Sequence, residues 1–425
     1  MSADEKPHLD EPPVPLLKHL GPGFITGAAD DDPSGIATYS QAGAQFGYGL
    51  LWSVLFTTPL MIAIQIVSAR IGRVTGHGLA ANIRERFPAP VLYFIVALLL
   101  FANTINIAAD LGAMADALVL VAGGNSSIYI VLFALTSLTL QIFIPFPRYA
   151  PILKLLTLAL FAYVATVFMV HTPLEALVQT LIPPITRDMT YVSMLVAVLG
   201  TTISPYLFFW QASQEVEEQR ATPGHEPLRE APEQARKHFR RIRLDTYVGM
   251  TFSNLIALCI MLTTAATLHG AGATNIESAA QAAEALRPLA GEFAFQLFAA
   301  GIIGTGLLAV PILAGSAAYA VAESFRWPIG LGLPLAEAQG FYSILMVSTV
   351  LGVLIDLSGI DSIKALVWAA IVNGVASVPI MAILMVLVSD PKTMSTFVAS
   401  RRLKRLGWLA TAVMAIAVAA MFILM

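Results

Sequence analysis

The sequence predicts an all-α, multi-pass integral membrane protein, and three observations carry that expectation. Of the 425 residues, 57% are hydrophobic and 12% charged, where a soluble domain carries about 25% charged residues; the mean hydropathy is +0.75. The apolar residues gather into segments long enough to span a bilayer core, which takes roughly 20 residues of helix. Lysine and arginine concentrate in alternate connections between those segments, the pattern of cytoplasmic loops. Helices follow because an open sheet edge cannot stay unpaired in lipid.

Met1 to Pro15 is polar and proline-rich, with no signal-peptide core, so a short disordered cytoplasmic tail is expected. Apolar segments then fall near 18–46, 48–74, 90–121, 126–146, 149–170, 190–219, 243–268, 292–324, 338–357, 362–388 and 406–425, which makes eleven transmembrane helices. With the N-terminus inside, only Arg187, Arg287 and Lys364 of the 24 Lys and Arg lie outside. A miscounted span near the middle would move every later loop to the other side. The expected organisation is one repeat over 16–172 (helices 1–5), a second over 173–389 (helices 6–10, with a cytoplasmic loop at about 220–242), and a linker with helix 11 over 390–425. The longest hydrophilic stretch, Glu215 to Arg243, contains Pro223, Pro227 and Pro232 and no binding motif; it reads as a cytoplasmic loop, part helical.

Composition also excludes functions. With 27 Asp and Glu against 24 Lys and Arg, the net charge is −3, leaving no basic surplus to neutralise a nucleic-acid backbone. The lone cysteine, Cys259, sits in an apolar stretch, so neither an intramolecular disulfide nor a cysteine cluster forms, and a buried small side chain is expected. No soluble domain of useful size is present, so any chemistry occurs within the membrane.

Two apolar segments are interrupted at their centres. In the first, Asp30-Asp31-Asp32-Pro33-Ser34-Gly35 places three acids where each charge costs about 3 kcal/mol on an insertion scale. In the sixth, Gly200-Thr201-Thr202-Ile203-Ser204-Pro205-Tyr206 holds a proline with no amide proton to continue a helix. Helices one and six begin the two five-helix halves, where inverted-repeat transporters place broken helices around a midplane substrate. Two unrelated proline kinks are the plainer alternative. Unwound backbone exposes carbonyl oxygens, and beside Asp32 that makes a cation site. Such hard oxygen ligands suit Mg, Ca and Mn over Cu or Zn.

The runs Gly21-Pro22-Gly23-Phe24, Asp32-Pro33-Ser34-Gly35-Ile36-Ala37-Thr38 and Gln41-Ala42-Gly43-Ala44-Gln45-Phe46-Gly47-Tyr48 resemble the first helix of the Nramp family of divalent-metal transporters. Ala69-Arg70-Ile71-Gly72 and Val74-Thr75-Gly76 are similar to the end of its second helix. The resemblance implies a leucine-transporter-like fold of two inverted five-helix repeats plus one extra helix. It places metal ligands at Asp32, Gly35, Thr201 and Ser204. Departures accompany the match: Ser34 and Gly35 replace the glycine and asparagine ligand of Asp-Pro-Gly-Asn, and Ser204-Pro205-Tyr206 replaces Met-Pro-His. A second histidine becomes Gln211, and an acid three residues after Asp110 becomes Ala113. Asp110 itself matches a family aspartate tied to proton transfer. Losing sulfur and amide ligands leaves a roomier, all-oxygen site, which suits Mg²⁺ because it dehydrates reluctantly. Losing histidines strips groups that titrate near neutrality. The pattern looks like the Nramp-related magnesium transporters, a branch that moves Mg²⁺ and Mn²⁺ without obvious proton coupling. A divalent ion gains about 4.6 kcal/mol from 100 mV, roughly three powers of ten in concentration, so membrane potential suffices as a driving force.

The remaining polar residues divide into candidates and bystanders. Asp30 and Asp31 lie about 100° apart on a helix, so the three acids cannot face one ion; Asp31 either lines a hydrated cation path or faces the inner vestibule with Asp30. Thr201 and Thr202 offer carbonyls or capping hydroxyls. Asn103, Asn106 and Asp110 form a stripe at helical spacing, read with Gln211 as a proton path or polar lining. Tyr206 and Asn373 are candidates for the ion path or its water shell, with an interhelical hydrogen bond the alternative for Asn373. Asp116 and Glu323 read as solvated or paired near helix ends, and His171 and His269 as outer-loop residues without a metal. Gly301, Gly304, Gly306 and Gly315 read as close helix packing.

The expected function is a cell-membrane transporter, bacterial inner membrane by orientation, with divalent metal ions and membrane lipid as its partners. No cofactor is expected beyond the transported cation, and no protein partner is evident. A proton-coupled Mn²⁺/Fe²⁺ symporter is the nearest rival. A membrane enzyme is disfavoured because no His-Glu-x-x-His or other catalytic motif is present, and an amino-acid symporter because the acid at the first break would repel a carboxylate.

Overall fold

The computed structural model describes residues 21–144, 148, 158–170, 182–184, 186–359 and 361–425. The expected tail over 1–15, the start of the first apolar segment, most of the link into the fifth, and His171 lie outside the described residues. Among those described, every regular element is helical. The principal helices are α1 (Pro22–Asp30), α2 (Pro33–Phe46), α3 (Leu51–Thr75), α4 (Leu79–Arg86), α5 (Ala89–Ala122), α6 (Ser126–Phe143) and α7 (Phe161–Met169). They continue with α8 (Met189–Thr202), α9 (Pro205–Ala221), α10 (Ala235–Thr264), α11 (Ala294–Phe325), α12 (Gln339–Asp356), α13 (Ser362–Ser389) and α14 (Arg401–Leu424).

Nine stretches among the described residues are long and apolar enough to cross a membrane. One of them, Pro33–Thr75, contains both α2 and α3. These run in opposite directions on either side of Gly47, whose φ of 56° is open to glycine. Gly43 of α2 abuts Thr264 at one end of α10, whereas Arg73 of α3 meets His238 at the other. Separating the two, and adding the shorter apolar helix Leu158–Met169, is consistent with eleven passes.

The expected charge asymmetry reappears in three dimensions. On one face Arg86 pairs with Asp390, and Arg241 of α10 bridges Glu215 and Glu218 of α9. Arg84 reaches the carbonyl of Glu323, and Arg70 that of Phe397. The opposite face carries Asp116, which accepts from Ser126 at 2.9 Å, and His269, whose Nδ1 lies 2.8 Å from the Ala44 carbonyl. The stretch expected as a loop at about 220–242, part helical, is helical at both ends, where those ion pairs lie. Helix persists to Ala221 and resumes at Ala235, because Arg241 ties the two helix ends together and all three prolines fall in the connection.

Each broken helix stops for a local reason. Asp31 (φ −84°, ψ 50°) leaves the helical region, Asp32 is extended, and Pro33 starts α2 at the position where its missing N–H is harmless. Ile203 (φ −122°, ψ 68°), extended Ser204 and Pro205 repeat the arrangement between α8 and α9. Since α1–α2 and α8–α9 cross in opposite directions, the two interruptions lie antiparallel.

Small residues bring the broken helices against their neighbours. A Cβ on Gly27 of α1 would lie 2.3 Å from the backbone of Gly249 in α10, and one on Gly200 of α8 2.1 Å from the Ala370 carbonyl in α13. Of the glycines expected to pack closely in α11, Gly306 sits against Met114 and Gly315 against Trp210, while Gly301 makes only ordinary contact. Gly27→Ala is therefore expected to lower stability by about 1–3 kcal/mol through overpacking, read as an earlier thermal transition in detergent. Gly332→Ala, which meets nothing within 4 Å, is the control. Equal melting of Gly27→Ala and the unsubstituted chain would mean that α1 and α10 do not pack backbone to backbone.

Candidate functional site

The first break is organised by Asp32. Its Oδ1 accepts the Gly35 amide at 2.7 Å, capping α2, and its Oδ2 lies 3.2 Å from the Tyr206 hydroxyl. A cap carboxylate here is favoured by the free amides and partial positive charge of the helix start. Tyr206, in the first turn of α9, also reaches the Ala29 carbonyl at 3.1 Å, so one phenol joins both half-helices of the first break to the second. Three oxygens surround the point where a Gly35 side chain would begin: Asp30 O and Thr201 Oγ1 at 3.2 Å, and Asp32 Oδ1 at 3.4 Å. Asp32, Gly35, Thr201 and Tyr206 are thus brought together.

The other acids differ from their expected placement. Asp30 and Asp31 are 1% and 2% exposed, so neither faces a vestibule. Ser253 of α10 lies 2.7 Å from Asp30 Oδ2 and 3.1 Å from Asp31 Oδ1. The 100° separation fails because the helix ends at Asp30, and the turned backbone of Asp31 swings its carboxylate to the same side.

At the second break, Ser204 turns its hydroxyl back to the carbonyls of Gly200 (3.0 Å) and Thr201 (2.9 Å). It closes the last turn of α8, satisfying two of the oxygens expected to be free. The Thr202 hydroxyl binds the Val198 carbonyl at 2.7 Å, the capping alternative, and lies 3.0 Å from the Tyr39 hydroxyl. The unwound Ile203 carbonyl accepts from Ser377 of α13 at 2.7 Å.

Of the stripe on α5, only Asp110 comes near this cluster, within electrostatic reach of Asp32. Ser34 presents its amide without meeting hydrogen-bond geometry, and both Asp110 oxygens are buried without a partner. Asn106 is fully buried with neither amide atom paired, and Asn103 donates to Ser316 (2.7 Å) and the Leu313 carbonyl (2.9 Å) of α11. Gln211 does not join the stripe: it accepts from Gln65 of α3 and donates to Thr246 of α10 at 3.1 Å. Asn373 is buried with its carbonyl oxygen unpaired, beside the crossing of Gly200 and Gly374. Glu323 is held by the Ala81 amide at 3.1 Å.

Sequence reasoning passed over Ser253, Tyr39 and Ser377, and named Ser34 only as a departure from the motif, whereas its hydroxyl reaches the Leu366 carbonyl at 3.0 Å. The pair Ser253-Asn254 within the apolar stretch 243–268 was the one visible sign of them. Among the described residues, no three His, Cys, Asp or Glu side chains converge to hold a metal. Direct ligation of a cation here would rest on one carboxylate with carbonyl, hydroxyl and water oxygens.

The family model described as natural resistance-associated macrophage protein-like, Nramp, matches residues 23–424. The manganese transporter of Eremococcus coleocola, solved in complex with an aromatic bis-isothiourea substituted compound, is similar in structure. Its TM-score is 0.72 at 18% identity, over 97% of this chain and 89% of its own. Mhp1, a nucleobase-cation-symport-1 family transporter in a closed conformation with bromovinylhydantoin bound, gives 0.59 at 13%, over 96% and 92%. MhsT in complex with L-phenylalanine gives 0.58 at 12%, over 95% and 98%. At such identities the likeness is one of fold, the leucine-transporter-like fold expected from the sequence. With all but its two ends covered by the family model, this chain belongs to the Nramp family.

Proposed function

We propose that the chain transports divalent metal cations, Mg²⁺ and Mn²⁺, by alternating access through its paired breaks, driven by membrane potential without proton coupling. In this reading it resides in the cell membrane, the inner membrane of a bacterium, with inverted repeats over 16–172 and 173–389. The observation that carries the proposal is the oxygen cluster at Gly35, where Asp30 O, Thr201 Oγ1 and Asp32 Oδ1 surround a position that holds no side chain. Hard oxygens favour a hard divalent cation, and so few of them leave it part of its water shell. Family membership and the likeness to a manganese transporter support metal as the cargo.

One observation favours a proton-coupled Mn²⁺/Fe²⁺ reading: Asp110, unpaired and near Asp32. Against it, Gln211 is occupied by Gln65 and Thr246, so no titratable side chain follows Asp110 at that position. The two readings separate in liposomes loaded with a pH dye. Mn²⁺ or Mg²⁺ uptake should follow an imposed potential without stoichiometric acidification of the lumen; acidification in proportion to metal would establish coupling. In the same assay Asp32→Ala should abolish uptake while its thermal transition stays within a few degrees of the unsubstituted chain. Undiminished uptake by that variant would end the assignment of the site.

Selectivity tests the room at Gly35. A Cβ there sits 3.2 Å from a backbone oxygen, so Gly35→Asn must shift its neighbours slightly and adds an amide where waters would stand. Mn²⁺ uptake should gain over Mg²⁺ by roughly fivefold, about 1 kcal/mol, in competition between the two ions. An unchanged ratio in a well-folded variant would place the ion elsewhere.

A further inference from the structure

On the face opposite the arginine-rich one, α5, α6, α12, the start of α13 and residues 277–280 border an open pocket of about 540 Å³. Asp116, Glu277, Asp356 and Asp361 line it, with no Lys, Arg or His among the described lining residues. Two of these acids are already engaged. Asp361 caps α13 through the Lys364 amide and lies 3.6 Å from the Lys364 ammonium, and Glu277 accepts from Asn275 at 3.3 Å.

Asp116 and Asp356 are different. Asp116 has only the Ser126 hydroxyl. Asp356 is 8% exposed, its carboxylate receives no hydrogen bond from the described residues, and the like-charged Asp116 is within electrostatic reach. A glycine makes that placement feasible: a Cβ on Gly112 would lie 2.1 Å from Asp356 Oδ1 and 2.9 Å from Ser362 Oγ. Because position 112 has no side chain, the Asp356 carboxylate rests against α5 one helical turn from Asp116. A buried acid facing another acid, without a cation, is unfavourable.

Asp116 also lines a second, narrow space of about 10 Å³, room for about one water. Ile36, Phe298, Ile302 and Leu366 narrow it. It leads toward the break, since Ala113 on its wall is one turn from Asp110, and the Leu366 carbonyl holds Ser34.

We propose that this chamber is a second cation site, in which Asp116 and Asp356 hold a hydrated divalent cation through its waters before it enters the throat to Asp32. The inference rests on the transport reading above. Six waters occupy about 180 Å³ at their liquid volume, well within the chamber. Two carboxylates without a third ligand give outer-shell binding that is weak enough to release the ion onward.

The test follows Mn²⁺ binding to the full chain in detergent by electron paramagnetic resonance of free Mn²⁺. The unsubstituted protein should show a tighter and a weaker class of site. Asp32→Ala should keep the weaker class, and Asp356→Asn should lose it while keeping the tighter. In liposomes Asp356→Asn should raise KM for Mn²⁺ severalfold at low ionic strength with little change in maximal rate, a gap that narrows as KCl screens the chamber. Asp116→Asn should behave likewise and serves if Asp356→Asn does not fold. Loss of all Mn²⁺ binding in Asp32→Ala, or an unaltered titration and KM in both asparagine variants, would overturn the chamber site and leave the transport reading standing. Normal transport by Asp32→Ala would overturn the break assignment instead, while the weaker class, lost in Asp356→Asn, would still support the chamber.

Discussion

The arrangement of this protein depends on satisfying an ionisable group and an unwound backbone in the middle of an apolar bundle. Lipid supplies no hydrogen bonds, so irregular backbone survives there only when protein or water completes it. Here the protein does most of that work. The Gly35 amide and the Tyr206 hydroxyl meet Asp32, Ser204 closes the last turn of α8, and Ser377 takes up the Ile203 carbonyl. Ser34 does the same for the Leu366 carbonyl of α13. Tyr206, Ser377 and Ser34 each join a break to another helix, so the breaks also set how α2, α8, α9 and α13 meet.

That dependence explains what was legible in the sequence. Acids and prolines inside apolar runs are rare and expensive, so Asp32-Pro33 and Ser204-Pro205 identified both breaks unaided. Charge alternation likewise ordered the helices, and the paired arginines of one face bear it out. Partners from distant helices were not legible. Whether Asp31 faces water or Ser253 depends on a backbone turn of one residue, and Gln211 stands in a histidine's place yet spends its amide on Gln65 and Thr246. Hydroxyl and amide side chains carry little periodic signal, and their roles become visible only once the helices are packed.

The close crossings bear on motion as well as on packing. Alternating access requires the half-helices to move against their surroundings. The contact of α1 with α10 is backbone against backbone at Gly27 and Gly249, and Ser253 of α10 adds a hydroxyl contact to Asp30 and Asp31 at the end of α1. In the same way, α8 is held to α13 both at Gly200 and through Ser377. Both breaks are therefore fastened at the helix end, α1 by Ser253 and Tyr206 and α8 by Ser377, so movement of either half-helix has to exchange those hydrogen bonds.

Oxygen chemistry at the break links this packing to the nature of the cargo. One carboxylate, a threonine hydroxyl and the end of a helix provide few ligands, and none is soft. In the transport reading proposed above, a cation bound there keeps waters, and the oxygens packed 3.2–3.4 Å around the missing Gly35 side chain must draw back to admit them. The narrow throat beneath Asp116 sets the opposite demand, because its apolar walls admit about one water at a time. A hydrated ion cannot pass it while the walls stay as they are. In the transport reading proposed above, the elements lining the throat, α2, α5, α11, α13 and the stretch 276–282, part for loading, and α2, α5 and α13 also approach Asp32. On that reading, widening the throat and opening the break toward the outer face are one movement of one set of helices, and a weakly coordinating site is closed to leakage whenever the throat is narrow.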